Sequence, residues 1–215
     1  MNIPETVYLH YLSALVDGDK ETCRLIISKL LTEKHEAKSI YDNIIKKSMY
    51  RIGQLWEKCR LSVAEEHVAS EITKEILSLI NISTENKCKT GKSIVITCVQ
   101  KEYHEIGPKL ISDFFELKGW CSTFVGSNIP PKEFIKLLKE KKPDLVGISN
   151  NFYLNITRLL ELVDLIKQQT PEQQIIIGGQ GPNNCYLEMI DKYPDVHYLK
   201  TLDDIENFII EKFPT

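Results

Sequence analysis

An imidazole in a short acidic loop is the first chemically promising feature of this chain: Glu102-Tyr103-His104-Glu105-Ile106-Gly107. Neutral imidazole is a good transition-metal ligand, and it is best oriented when its second nitrogen donates to a carboxylate. Glu102, two residues before His104, is placed to be that carboxylate. Gly107 lacks a side chain and lets the backbone approach a bulky ligand. Two later segments carry groups that suit a ligand. Ser149-Asn150-Asn151 offers a hydroxyl able to bond a partner of His104 or a ligand tail. In Ile177-Gly178-Gly179-Gln180-Gly181 the glycines clear space after an apolar run. Each segment also has a plainer reading: an exposed loop histidine, polar residues that suit turns, and glycine at a tight turn.

A second group lies nearer the N-terminus. Trp56 is followed by nine residues and then Glu66-His67, with Val63 at the start of the same segment. An indole shields an apolar face, and a carboxylate accepts hydrogen bonds from hydroxyls. The plainer reading buries Trp56 in a helical core.

These residues need elements to position them. Between Pro4 and Pro108 there is no proline, and before Gly107 the glycines are Gly18, Gly53 and Gly91. Apolar residues there recur at helical spacing, predicting helices around Val7–Val16, Leu25–Leu31 and Ile40–Trp56. Ser62 and Glu65 form a capping-box pattern that opens a fourth helix through about Ile80. After Gly107 the texture alternates. Strands are predicted at Ser93–Val99, Cys121–Val125, Asp144–Ser149, Gln174–Ile177 and Val196–Leu199. Helices are predicted between them at Glu105–Leu117, Pro131–Glu140, Ile156–Lys167 and, shorter, Asn183–Lys192, with Leu202–Ile210 last. The fold class is therefore α/β: an N-terminal four-helix bundle cap, then a flavodoxin-like, doubly wound, five-stranded parallel sheet. The expected domains are 1–82, a polar linker 83–92, and 93–215.

Composition narrows the function classes. The chain has 215 residues with 27 Lys+Arg against 30 Asp+Glu, a formal net charge of −3. A dedicated nucleic-acid binder would carry a basic excess. No apolar run approaches a membrane span, and the N-terminus has no signal-peptide pattern. The six cysteines (23, 59, 88, 98, 121 and 185) form no Cys-x-x-Cys pair and suit a reducing cytoplasm.

Spacing ties the motifs together. Forty-one residues separate Gly107 from Ser149, and twenty-six separate Asn151 from Gly178. This resembles the cobalamin-binding domain of methionine synthase, mutases, corrinoid methyl carriers and light-sensing repressors: Asp-x-His-x-x-Gly, Ser-x-Leu, Gly-Gly. Here Glu102 replaces Asp and Asn151 replaces Leu. The resemblance implies that His104 ligates the lower face of cobalt and that the dimethylbenzimidazole tail is displaced beside Ser149, Gly178 and Gly179. It extends the cofactor contacts to Glu102, Tyr103, Glu105, Ile106, Gly107, Gly126, Asn151 and Gln180. The helical half resembles the cap over the upper corrin face. Its Trp56, Val63, Glu66 and His67 are similar to the cap of light-sensing adenosylcobalamin repressors, where Trp lies over the adenosyl group and Glu bonds it.

Two departures stand out. Glu57 occupies the place of those repressors' second axial histidine, and the sequence opens directly on the cap without a DNA-reading element. The leading expectation is a stand-alone adenosylcobalamin light sensor, signalling to a protein partner or a homo-oligomer without binding nucleic acid. The alternative is a corrinoid methyl carrier that uses methylcobalamin.

Overall fold

The computed structural model describes residues 3–82, 88–181, 190 and 192–214. The chain divides into two compact units, Met1–Glu85 and Asn86–Thr215. The break falls within the segment 83–92 expected to be a linker.

The first unit contains α1 (Glu5–Val16), α2 (Lys20–Thr32), α3 (Ala37–Ile40), a π-helical turn (Tyr41–Lys46), α4 (Lys47–Glu57) and α5 (Val63–Ile82). Gly18, at φ +69°, breaks the chain after α1, and the Asp19 carboxylate caps α2 by accepting the Thr22 N–H at 3.0 Å. The capping box at α5 forms: Glu65 accepts the Ser62 N–H at 2.7 Å, and the Glu65 N–H donates to Ser62 Oγ at 3.2 Å. The predicted third helix is continuous from Ala37 to Glu57, and the π-helical turn within it buries Tyr41, Ile44 and Ile45 together. With them, Tyr11, Ile27, Ile40, Ile52, Ile76 and Ile80 make the core.

The second unit contains β1 (Ser93–Cys98), α6 (Ile106–Leu117), β2 (Cys121–Gly126), α7 (Pro131–Lys141), β3 (Leu145–Ser149), α8 (Ile156–Gln169), β4 (Gln174–Gly178), β5 (Val196–Tyr198) and α9 (Leu202–Lys212). The strands form one parallel sheet in the order β2-β1-β3-β4-β5. Their β-branched residues explain this arrangement. Val95, Val146, Ile148, Ile175 and Ile177 pack with Phe134 of α7 and with Leu159 and Leu162 of α8. Phe114, Phe115 and Trp120 are also buried, and Trp120 meets Phe115 and Phe213 edge-on. Register pairs Cys98 with Ser149 and Ser149 with Gly178, so the ends of the three central strands lie in one row. That row is the carboxyl edge where parallel sheets bind ligands.

The helix expected at Asn183–Lys192 lies almost wholly outside the described residues. The cysteine expectation needs correction: Cys88 and Cys121 are joined as a disulfide, while Cys23, Cys59 and Cys98 are free thiols. The pairing joins positions 33 apart in sequence, a proximity that no local spacing announces. Among the described residues, no helix is long and apolar enough to cross a membrane.

Candidate functional site

Beyond β1 the chain makes a tight turn through Lys101, at φ +67°, and then presents Glu102 and His104. Two asparagines brace this turn. Asn128 Oδ1 accepts the Lys101 N–H at 3.3 Å, and Asn155 Nδ2 donates to the Lys101 carbonyl at 3.4 Å. Glu102 is fully buried, yet its carboxylate is well supplied with donors. Oε1 pairs with His104 Nδ1 at 2.5 Å and accepts the His104 N–H at 3.2 Å. Oε2 accepts the N–H groups of Asn151 and Phe152 at 2.9 and 3.0 Å. Burial pushes the pKa of Glu102 up, but the bonds from His104 and Asn151 outweigh it and hold the group at about 2. Glu102 is therefore an anion at neutral pH, and Nδ1 is the nitrogen of His104 that carries the proton toward it. Nε2 is then the atom with which His104 would ligate a metal.

The remaining predicted residues of this unit gather around the same edge. Ser149 and Gly178 sit side by side in register, and the Asn150 N–H donates to the Gly178 carbonyl at 3.0 Å. Asn151 Oδ1 accepts the Gln180 N–H at 3.1 Å. Gly179 adopts φ +105°, and a Cβ there would stand 2.2 Å from the Asn150 carbonyl oxygen, so only glycine fits. Glu105 accepts the Ser127 N–H at 3.0 Å, which ties the start of α6 to the loop after Gly126. Ile106 opens α6, and a Cβ on Gly107 would meet no heavy atom within 4 Å. Tyr103, Phe152, Tyr153 and Leu154 leave an apolar surface exposed around and beyond the loop. The Phe152 ring lies 5.0 Å from the His104 ring, centroid to centroid.

The notion of a His104–Glu102–Ser149 chain needs correction. Among the described residues, Glu102 Oε2 is taken by the two backbone amides of residues 151 and 152, not by the Ser149 hydroxyl. Sequence reasoning also missed Phe152, Asn155 and Tyr198, whose hydroxyl donates to the Gly179 carbonyl at 3.0 Å. Position alone, just past a strand end, was the available signal for Phe152 and Asn155.

In the first unit, Trp56 lies in the last turn of α4 and is 45% exposed, which removes it from the core. Val63, at the start of α5, is also exposed. Glu66 accepts the Ser70 hydroxyl at 2.7 Å and pairs with His67 Nδ1 at 2.7 Å. Its two oxygens thus already have one partner each, and no hydrogen bond links Trp56 to Glu66 among the described residues.

The donor set defines what the site can hold. Among the described residues, no cluster of three or more His, Cys, Asp or Glu could cage a bare metal ion. Burial and the nearby Glu102 and Glu105 push the Cys98 thiol up to about 12, so no thiolate competes beside His104. A single oriented imidazole, open space at Gly107 and an apolar surround fit a metal that brings its equatorial ligands with it in a macrocycle.

Comparison with known proteins agrees with that chemistry. A B12 binding domain family matches residues 92–200, and a second B12 binding domain family matches residues 10–81. Dimethylamine corrinoid protein 1 of Methanosarcina acetivorans is 21% identical over 177 residues, covering 79% of this chain and 83% of that one. Trimethylamine corrinoid protein 1 of the same organism is 20% identical over 182 residues, covering 82% and 84%. The structure of Methanosarcina barkeri monomethylamine corrinoid protein shares the fold with a TM-score of 0.82 at 12% identity, covering 97% of this chain and 99% of that one. The methanol:cobalamin methyltransferase complex of Methanosarcina barkeri aligns with a TM-score of 0.51 at 14% identity, covering 98% and 81%. Since the first of these families alone spans more than half of the sequence, the chain belongs to the B12 binding domain family and is a cobalamin-binding protein.

Proposed function

We propose that this chain is a corrinoid methyl carrier: it holds a methylated corrinoid and passes between methyltransferase partners that load and unload it. The observation that carries this reading is the run of methylamine corrinoid proteins that match it along most of both lengths. Bound corrinoid would supply a cobalt centre that takes up and gives up a methyl group. The protein's part is to bind, orient and shield. Nε2 of His104 is the proposed axial ligand, and the Glu102 anion holds the imidazole in the tautomer that leaves Nε2 unprotonated. Ser149, Gly178 and Gly179, with Asn151 and Gln180, are the proposed seat of the nucleotide tail. Tyr103, Glu105, Ile106, Gly107 and Gly126 are the proposed contacts with the lower corrin face. The exposed Trp56 and Val63 give the helical unit an apolar surface suited to a flat macrocycle, with Glu66 and His67 beside them in sequence.

The second reading, an adenosylcobalamin light sensor, is favoured by the Trp56-to-Glu66-His67 spacing. Against it stand Glu57 in place of the second axial histidine and the engagement of Glu66 with His67 and Ser70. Titration of the apoprotein with methyl- and adenosylcobalamin in the dark, followed by green illumination, separates the two. A carrier binds methylcobalamin at least as tightly as adenosylcobalamin. It also accepts reduction to cob(I)alamin and remethylation by methyl iodide. A strong preference for adenosylcobalamin with a light-driven change of oligomer overturns the carrier reading.

A further inference from the structure

The carboxamide of Asn151 makes a bond that an apolar side chain such as leucine cannot make. Its Oδ1 accepts the Gln180 N–H at 3.1 Å, while its own N–H donates to Glu102 Oε2 at 2.9 Å. Glu102 in turn holds His104 Nδ1 through its other oxygen. One residue therefore joins two loops: the glycine turn after β4 and the arm that carries His104. The glycine turn has little freedom to move independently. Gly179 is pressed against residue 150 so closely that a Cβ would fall 2.2 Å from the Asn150 carbonyl and 3.0 Å from Asn151 Oδ1. The Gly181 N–H donates to the Asn150 carbonyl at 3.0 Å, and the Asn150 N–H donates to the Gly178 carbonyl at 3.0 Å. Any shift of that turn moves residues 150–152, and with them both amides that hold Glu102 Oε2.

We propose that Asn151 is a positioning residue that couples the seating of the cofactor's nucleotide tail at Gly178–Gln180 to axial ligation by His104. The proposal rests on the cofactor placement given above. Without the carboxamide, the segment 150–152 keeps its backbone bonds to the glycine turn but loses the one side-chain tie, that to the Gln180 N–H. Glu102 then holds His104 through a looser frame, and the ligated state is less favoured.

The test uses the full chain labelled with ¹⁵N-histidine, loaded with cob(II)alamin and read by electron paramagnetic resonance. Histidine ligation gives a two-line nitrogen splitting, the cofactor's own base gives three lines, and an unligated lower face gives none. Wild type is expected to give the two-line pattern. Asn151→Leu should lower the ratio of histidine-ligated to unligated cobalt about five-fold, the factor that one hydrogen bond of ~1 kcal/mol supplies. Asn151→Asp keeps an acceptor for the Gln180 N–H and should restore the two-line signal. Thermal melting of each apoprotein checks folding, and Asn151→Ala replaces the leucine variant if that variant does not fold. An unchanged two-line signal in Asn151→Leu, or equal loss in Asn151→Asp, overturns the coupling while leaving the role of His104 intact. Absence of the two-line signal in wild type overturns the placement of His104 itself, and the coupling with it.

Discussion

Glu102→Gln keeps the shape of the side chain but removes its charge and half of its accepting capacity. The carboxylate accepts four hydrogen bonds and donates none: two from His104 and one each from the amides of residues 151 and 152. A carboxamide can accept on one side only. If its oxygen keeps the two amides, its NH₂ faces His104 and requires Nδ1 to become an acceptor. The ring proton then moves to Nε2, and the imidazole loses the lone pair it would offer cobalt. The variant should therefore bind cobalamin without the histidine-ligated spectrum, although His104 is still present. Stability falls as well. The drop in pKa from 4.5 to about 2 corresponds to ~3 kcal/mol of preference for the anion in the folded state. Because the folded pKa is depressed, this stabilisation is present above about pH 4.5 and is lost as pH falls toward 2. Urea unfolding of the apoprotein measures it, with Trp120 as the fluorescent reporter in a Trp56→Phe background. The gap between parent and Glu102→Gln should be about 3 kcal/mol near pH 7 and less than half of that by about pH 3. A gap that is constant across this range would refute the argument, since only a titrating anion makes it pH-dependent.

Other substitutions test the frame around this pair. Gly179→Ala combines φ +105° with a 2.2 Å contact and should destabilise the apoprotein by roughly 2–4 kcal/mol, seen as a lowered melting temperature. Gly107→Ala meets nothing within 4 Å, so apoprotein stability should hold within ~1 kcal/mol while cobalamin affinity falls at least ten-fold in titration, a loss of ~1.4 kcal/mol. Trp120→Ala, at a fully packed site, should cost about 3–5 kcal/mol in urea unfolding. Trp56→Ala, at a half-exposed site, should change apoprotein stability by less than ~1 kcal/mol and instead alter the ratio of methyl- to adenosylcobalamin affinities.

Much of the fold could be read from the residues because its signals are local. β-branched runs such as Ile94–Ile96 and Ile175–Ile177 have no other economical use than strands covered on both faces. Ser62 and Glu65 announce a helix start because each satisfies the other's neighbourhood within one turn. The Glu102–His104 pair was visible for the same reason: the partners are two residues apart. What escaped is long-range or carried by the backbone. The donors on Glu102 Oε2 are amides, which every non-proline residue has, so no residue type at 151 or 152 reveals them. The π-helical turn at Tyr41–Lys46 inserts an extra residue into a pattern that still reads as helix. Trp56 is open to two readings because large aromatics serve cores and ligands alike, and its exposure removes only the first.

The partners of Glu102 lie on either side of a long stretch of chain. His104 is two positions away, and residues 151 and 152 are 49 and 50 positions away. The imidazole is therefore held correctly only once β1 and β3 have paired and the loops beyond them have closed. A growing or partly folded chain has the histidine but not its orientation. With His104 as the proposed ligand, capture of the cofactor through it would wait on the closing of those two loops. Loading through His104 would then be a report on folding: the histidine-ligated fraction would count the molecules in which the loops after β1 and β3 have come together.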